Sequence, residues 1–167
     1  GPHLSDPLSY VTGFERDGVG RLTAYVDANQ SRTEYEYDDV GQLVTIKTAL
    51  AQLDPLNRHQ IDITYDANGN QTLITDANGN ETEFAYDDMN CLTGVANALS
   101  CEATYGYDPG YNLSSVKDLR GYTTTYTYDE CDRLAGVTDP LSRSTTFTYD
   151  PAGNLTEVAY AGGNEIN

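Results

Sequence analysis

Thr125–Asp139 reads TYTYDECDRLAGVTD and Thr146–Val158 reads TFTYDPAGNLTEV. In both, β-branched and aromatic residues alternate, a Tyr-Asp pair leads into a turn, and the chain resumes with Leu and then Val. Alternation with period two marks a strand with two unlike faces. The pattern recurs along nearly the whole chain. Asp17, Asp38, Asp66, Asp87, Asp108, Asp129 and Asp150 are spaced by 21 residues, with one interval of 28, which makes the chain a repeat array.

With each aspartate as origin, the residue three before it is Phe14, Tyr35, Ile63, Phe84, Tyr105, Tyr126 or Phe147, always large and apolar. The residue directly before it is Arg16 and then Tyr37, Tyr65, Tyr86, Tyr107, Tyr128 and Tyr149. Three residues after it come Gly20, Gly41, Gly69, Asn90, Tyr111, Asp132 and Gly153, and five after it Leu22, Leu43, Gln71, Leu92, Leu113, Leu134 and Leu155. A branched or aromatic residue follows at eight, Tyr25, Ile46, Ile74, Val95, Val116, Val137 and Val158, and a second turn residue at ten, Asp27, Asp76, Asn97, Asp118 and Asp139. Each unit therefore reads strand, turn, strand, turn. The leucine and the branched residue stand three apart, which simple alternation does not allow, so a bulge or bend is expected in the second strand of each unit.

A period of 21 is also three heptads, but fifteen glycines, six prolines and the run Thr123–Tyr128 (TTTYTY) exclude a long helix. Asn68-Gly69 and Asn78-Gly79 suit the positive φ of tight hairpins, and Asp108-Pro109, Asp139-Pro140 and Asp150-Pro151 start turns. The expectation is an all-β chain of about fourteen short antiparallel strands in one continuous sheet. At about 4.8 Å per strand it would be roughly 65 Å wide, so the sheet is expected to curl.

No composition shift divides residues 5–167, which read as a single array of seven units with an insertion within 47–60. Gly1-Pro2-His3-Leu4 resembles the scar of a tag-cleaving protease, and the chain reads as an excised fragment. A formal charge of −17 argues against nucleic acid or an anionic membrane as partner, and no apolar run approaches a membrane span. Cys91, Cys101 and Cys131 share no metal-like spacing; Cys91 and Cys101 fall in neighbouring strands, where a disulfide is conceivable.

The two quoted stretches resemble the Rhs or YD-repeat family, named for the tyrosine-aspartate pair followed by a glycine and a leucine. The resemblance covers roughly Phe14 to Val158. It is carried by Tyr37, Asp38, Gly41 and Leu43; by Tyr65, Asp66 and Gly69; by Tyr86, Asp87 and Leu92; by Tyr107, Asp108 and Leu113; by Tyr128, Asp129 and Leu134; and by Tyr149, Asp150, Gly153 and Leu155. Arg16, Gln71, Asn90, Tyr111 and Asp132 depart from the pattern, and altered turns are expected in those units. The resemblance implies a hairpin strip that spirals into a hollow shell, as in bacterial polymorphic Rhs toxins, insecticidal toxin complexes and teneurins. In the bacterial members the shell encloses a toxic C-terminal domain. This chain would be an open segment of such a wall in a secreted or surface-delivered bacterial protein, non-enzymatic and without cofactor. Its partners would be the rest of the parent shell, an attached C-terminal effector, and other copies through exposed sheet ends.

Candidate sites are weighed against that repetition. The pairs Asp38/Asp39 and Asp87/Asp88 suit acid–base work, but a motif residue in seven equivalent places is explained by bonding to its own turn. Asp66, Asn68, Asp76 and Asn78 set oxygens at alternate positions as a calcium loop does, without the downstream bidentate glutamate. The insertion Thr48–Gln60 (TALAQLDPLNRHQ) carries His59 and reads as an enlarged surface loop, with no nucleophile indicated. The alternative function is an extracellular module that binds glycans or a protein through its tyrosine face or that loop; a hydrolase is a third reading.

Overall fold

The computed structural model describes residues 12–49 and 59–161. The presumed scar and most of the insertion, residues 50–58, lie outside the described residues. Contacts divide the chain into two compact units, one through Thr82 and one from Glu83. The first holds β1 (Gly13–Arg16), β2 (Leu22–Val26), β3 (Arg32–Tyr37), β4 (Leu43–Lys47), β5 (Gln60–Tyr65) and β6 (Gln71–Thr75). The second holds most of β7 (Glu81–Tyr86) and all of β8 (Leu92–Ala96), β9 (Glu102–Tyr107), β10 (Leu113–Lys117), β11 (Thr123–Tyr128), β12 (Leu134–Thr138), β13 (Ser144–Tyr149) and β14 (Leu155–Ala161). Fourteen strands are present and no helix among the described residues, as the period-two pattern requires. Within each unit every strand pairs antiparallel with its sequence neighbours. Each is an open sheet, and the curling expected from strand number is absent. A sheet one layer thick has no opposing surface to roll onto, which fits the small number of buried side chains described below.

The expected bulge is present in all seven hairpins. The register slips between Glu15 and Arg16, which pair with Ala24 and Leu22, so Thr23 is the extra residue of β2. The same slip places Val44, Thr72, Thr93, Ser114, Ala135 and Thr156 out of register in their strands. This extra residue is what lets Leu22 and Tyr25, three apart, both hold their places in the pattern.

Strand parity puts the large apolar residues on one face. In the first unit Phe14 pairs with Tyr25, Tyr35 with Ile46, Ile46 with Ile61, and Ile63 with Ile74. In the second, Phe84 pairs with Val95, Tyr105 with Val116, Tyr126 with Val137, and Phe147 with Val158. The other face is polar. There Arg32 bridges Glu15 and Glu34, Lys47 pairs with Glu36, and Thr45 donates to Asp62 at 3.0 Å. Among the described residues only Ala24, Thr45, Ile63 and Gly94 count as buried, and no large side chain is fully enclosed.

Without a thick core, the turns carry much of the specification. Each turn aspartate closes the same loop: its N–H donates to the carbonyl four residues on, and its carbonyl accepts from the N–H three residues on. The distances are 3.0 and 3.0 Å at Asp17 and 2.9 and 2.9 Å at Asp150. Five of the turns that join one hairpin to the next, at Asp27, Asp76, Asn97, Asp118 and Asp139, repeat this, so both kinds of turn use one solution. The residue three after the aspartate is left-handed every time. It is Gly20, Gly41, Gly69, Gly79, Gly121 or Gly153, and elsewhere Gln30, Asn90, Ser100, Tyr111, Asp132 or Ser142, with φ between 57 and 65° in these last six. The altered turns expected at Asn90, Tyr111 and Asp132 are therefore absent: the aspartate's bonds hold the geometry and the substituted residue bears the strain. Nor are the Asn-Gly pairs two-residue turns, since only the glycine has positive φ; the loop is a type I turn followed by one left-handed residue.

A methyl group built on Gly79, φ +80°, would touch nothing within 4 Å, so substitution there isolates backbone strain. Gly79→Ala should lower stability by about 1 kcal/mol, and Ser100→Gly should leave it level or raise it by a few tenths. Urea unfolding of both variants checks this. Stabilisation by Gly79→Ala would contradict the shared turn geometry.

Candidate functional site

The residues singled out by the repeat converge at the junction between successive hairpins. In five repeats the tyrosine before the aspartate ends an odd-numbered strand, and its hydroxyl crosses to the preceding even-numbered strand. Tyr37 donates to the Leu22 carbonyl at 2.9 Å, Tyr65 to Leu43 at 2.9 Å, Tyr107 to Leu92 at 3.0 Å, Tyr128 to Leu113 at 3.0 Å, and Tyr149 to Leu134 at 2.8 Å. The ladder between β2 and β3 stops at the pair Ala24 and Glu34, two residues short of Leu22, so the phenol extends the joint beyond the last backbone pair. Each such bond contributes on the order of 1 kcal/mol net. Burial pushes the Tyr107 hydroxyl pKa up, with nearby Cys91, Asp87 and Tyr105 adding to the shift. In the first unit Arg16 replaces the tyrosine and donates instead to Gly20 within its own turn at 2.8 Å.

Each aspartate side chain then bonds its own turn. Asp66 Oδ1 accepts from the Asn68 and Asn70 amides, both at 2.9 Å, and Oδ2 from Asn70 Nδ2 at 2.9 Å. Asp76 does the same with Asn78 and Asn80. Asp38 Oδ1 takes the Val40 and Gln42 amides, and Asp108 Oδ1 those of Gly110 and Asn112. The side chain four residues on completes the group in several turns. Arg21 reaches Asp17 Oδ2 at 2.6 Å, and Arg133 reaches Asp129 Oδ2 at 2.7 Å. Asn112 Nδ2 spans to the next repeat, donating to Asp132 Oδ1 at 2.8 Å. Sequence reasoning did not mark this fourth position, because it varies among Arg, Gln, Asn and Cys; that Arg21, Asn70, Asn112, Arg133 and Asn154 each bring a nitrogen to the carboxylate is visible only in the structure.

These bonds hold several carboxyls below their ordinary range. The largest cause is the side-chain donor: Arg21 for Asp17, Asn70 for Asp66, Asn80 for Asp76, Arg133 for Asp129, Arg143 for Asp139 and Asn154 for Asp150.

The weak calcium candidates do not converge. Asp66 and Asp76 point into their own turns, while Asn68 and Asn78 take part through main-chain N–H groups, which repel a cation. Among the described residues no three His, Cys, Asp or Glu side chains gather as a metal site. Cys91, Cys101 and Cys131 are all free thiols. His59 is half-buried, and its carbonyl accepts from the Thr48 amide at 3.1 Å.

A family model described as RHS Repeat matches residues 16–52, 65–100, 112–143 and 132–165. No curated protein matches the chain. Among solved structures, the TcdB2-TccC3-Cdc42 crystal structure superposes with a TM-score of 0.72 at 22% identity, covering 90% of this chain and 9% of that one. The Photorhabdus luminescens Tc holotoxin pore gives 0.72 at 23% identity, covering 91% and 9%. The chain thus spans about a tenth of the length of the chains it matches, and the likeness is one of fold.

Two solution measurements follow. A carboxyl whose folded pKa is depressed stabilises the fold above its unfolded pKa, about 3.9, and that contribution is lost as pH falls through the folded value. The urea midpoint should therefore stay level from pH 7 to 5 and fall steadily below pH 4; a midpoint unchanged at pH 3 would contradict the bonded turns. Thermal midpoints should be the same in chelator and in millimolar calcium, whereas a calcium-dependent rise would restore Asp66 and Asp76 as ligands.

Proposed function

Because the chain belongs to the RHS repeat family, we propose that it is a structural segment of an Rhs-type β-shell that encapsulates or presents an attached effector. The carrying observation is that the signature residues perform one joint many times: five tyrosine hydroxyls bond five leucine carbonyls in equivalent places. Chemistry needs one prepared environment, and a wall needs the same joint repeated. In each carboxylate pair weighed for acid–base work, the first member, Asp38 or Asp87, accepts its own turn's amides through Oδ1, which supports a non-enzymatic reading. The fold shared with the Tc structures supports the same assignment. The two units belong, in this reading, to a single array over residues 5–167, within a secreted or surface-delivered bacterial protein. Its partners are neighbouring parts of the parent shell and the C-terminal effector, and exposed sheet ends favour association between copies.

Limited proteolysis of the full parent protein is the test. The segment following the repeats should resist protease while the repeat region is intact, and become sensitive once the repeats are unfolded. A parent without further repeats, or a following segment cleaved as fast as free polypeptide, would overturn the shell reading.

A further inference from the structure

At two junctions the chain inserts a cation between consecutive repeats. Arg21, bound to Asp17 Oδ2 at 2.6 Å, lays its guanidinium 4.7 Å from the centre of the Tyr37 ring. Arg133, bound to Asp129 Oδ2 at 2.7 Å, lies 4.5 Å from the Tyr149 ring and reaches the Asp150 carbonyl at 3.4 Å. The next turn leaves room for each. A Cβ on Gly41 would lie 3.2 Å from Arg21 Nη1, and one on Gly153 would lie 3.8 Å from Arg133 Nη1.

The junction between Asp87 and Tyr107 has the same carboxylate and the same ring, but Cys91 stands at the fourth position and brings no donor. Asp87 Oδ1 accepts the Met89 and Cys91 amides; among the described residues Oδ2 receives no hydrogen bond. Tyr107 is fixed as Tyr37 and Tyr149 are, through its hydroxyl to the Leu92 carbonyl at 3.0 Å. In the slot of Gly41 and Gly153 this junction has Tyr111, held at φ 64° and 53% exposed. Five of the six non-glycine residues in that slot are small or polar, and only here is a large aromatic side chain placed in a conformation that disfavours it. Asp87, Tyr105, Tyr107, Asp108, Pro109 and Tyr111 line an open depression at this point.

We propose that this depression binds the guanidinium of an arginine side chain presented by a polypeptide. The chain's own Arg21 and Arg133 show the complement: a carboxylate oxygen in the guanidinium plane and a tyrosine ring against its face. Tyr111 adds a second ring where the two junctions with an internal arginine have glycine. A net charge of −17 raises the local concentration of basic partners. The site is independent of the shell reading, since all its residues lie within one unit.

The probe is N-acetyl-argininamide, titrated into the whole chain and followed by NMR of the tyrosine rings. Saturable shifts at Tyr107 and Tyr111 are expected, with weaker binding of the equivalent lysine compound. Cys91→Arg, which supplies the cation internally, should weaken binding tenfold or more and raise the thermal midpoint relative to Cys91→Ala. Asp87→Asn should weaken it similarly while keeping the turn, because Asn97 already closes its own turn through Oδ1 to the Leu99 and Cys101 amides at 3.0 and 3.1 Å. Shifts that persist in Cys91→Arg, or that spread evenly over all acidic turns, would show counterion attraction and overturn the proposal, as would no saturable shift in the unaltered chain. Tighter binding of free arginine than of the capped probe would overturn a polypeptide as the source.

Discussion

The aspartate carboxylate that accepts the amides two and four residues ahead of it is the interaction on which the rest of this structure depends. In a two-layer protein the core selects the strand register, but each unit here is one sheet thick and, among the described residues, only Ala24, Thr45, Ile63 and Gly94 are buried. Register must then be fixed at the strand ends. The carboxylate does this by determining which residue is left-handed, and so where the next strand begins. That is why the loop survives Asn90, Tyr111 and Asp132 in the glycine slot: local strain of roughly 1–2 kcal/mol in one residue is offset by several hydrogen bonds closing the same turn.

The turn also sets up the joint between hairpins. The tyrosine sits directly before the aspartate, so once the turn is fixed its hydroxyl has one place to go, the leucine carbonyl of the preceding strand. The bulge serves the same end: the extra residue after each leucine lets the leucine end its strand beside the tyrosine while the branched residue keeps to the apolar face. Turn, bulge and phenol are three parts of one unit of construction. This explains why they recur together at 21-residue spacing rather than drifting separately.

How much of this could be read from sequence follows from which interactions are local. The fourteen strands, the bulges and the turn aspartates were legible because each rests on residues within about ten positions of one another. Tolerance at the glycine slot was not, since a missing glycine looks like a missing turn until the carboxylate's bonds are seen. The tyrosine's acceptor was not legible either: it is a main-chain carbonyl 15 or 22 residues back and carries no side-chain signature. The fourth position was the hardest, because Arg and Asn share only a nitrogen at the right reach. The sheet's curl failed for another reason: it is a property of what lies against a face, and single-chain patterning does not encode that.

In a repeat array of this kind, the residues that hold the fold and the residues free to do anything else are separated by position. The aspartate, its preceding tyrosine and the left-handed slot are tied to the turn, while the fourth residue is tied only loosely, since either a guanidinium or an amide satisfies the carboxylate. Individuality can therefore enter at the fourth residue at little structural cost. Cys91 is the one first-turn instance with neither group, and it coincides with the one large aromatic in the left-handed slot of the following turn. Two departures from a repeat, 20 residues apart in sequence and meeting at one junction, are hard to account for by turn chemistry, because each alone weakens the construction. Their coincidence is what gives that junction a chemistry distinct from its neighbours, on a scaffold that is otherwise the same joint made again.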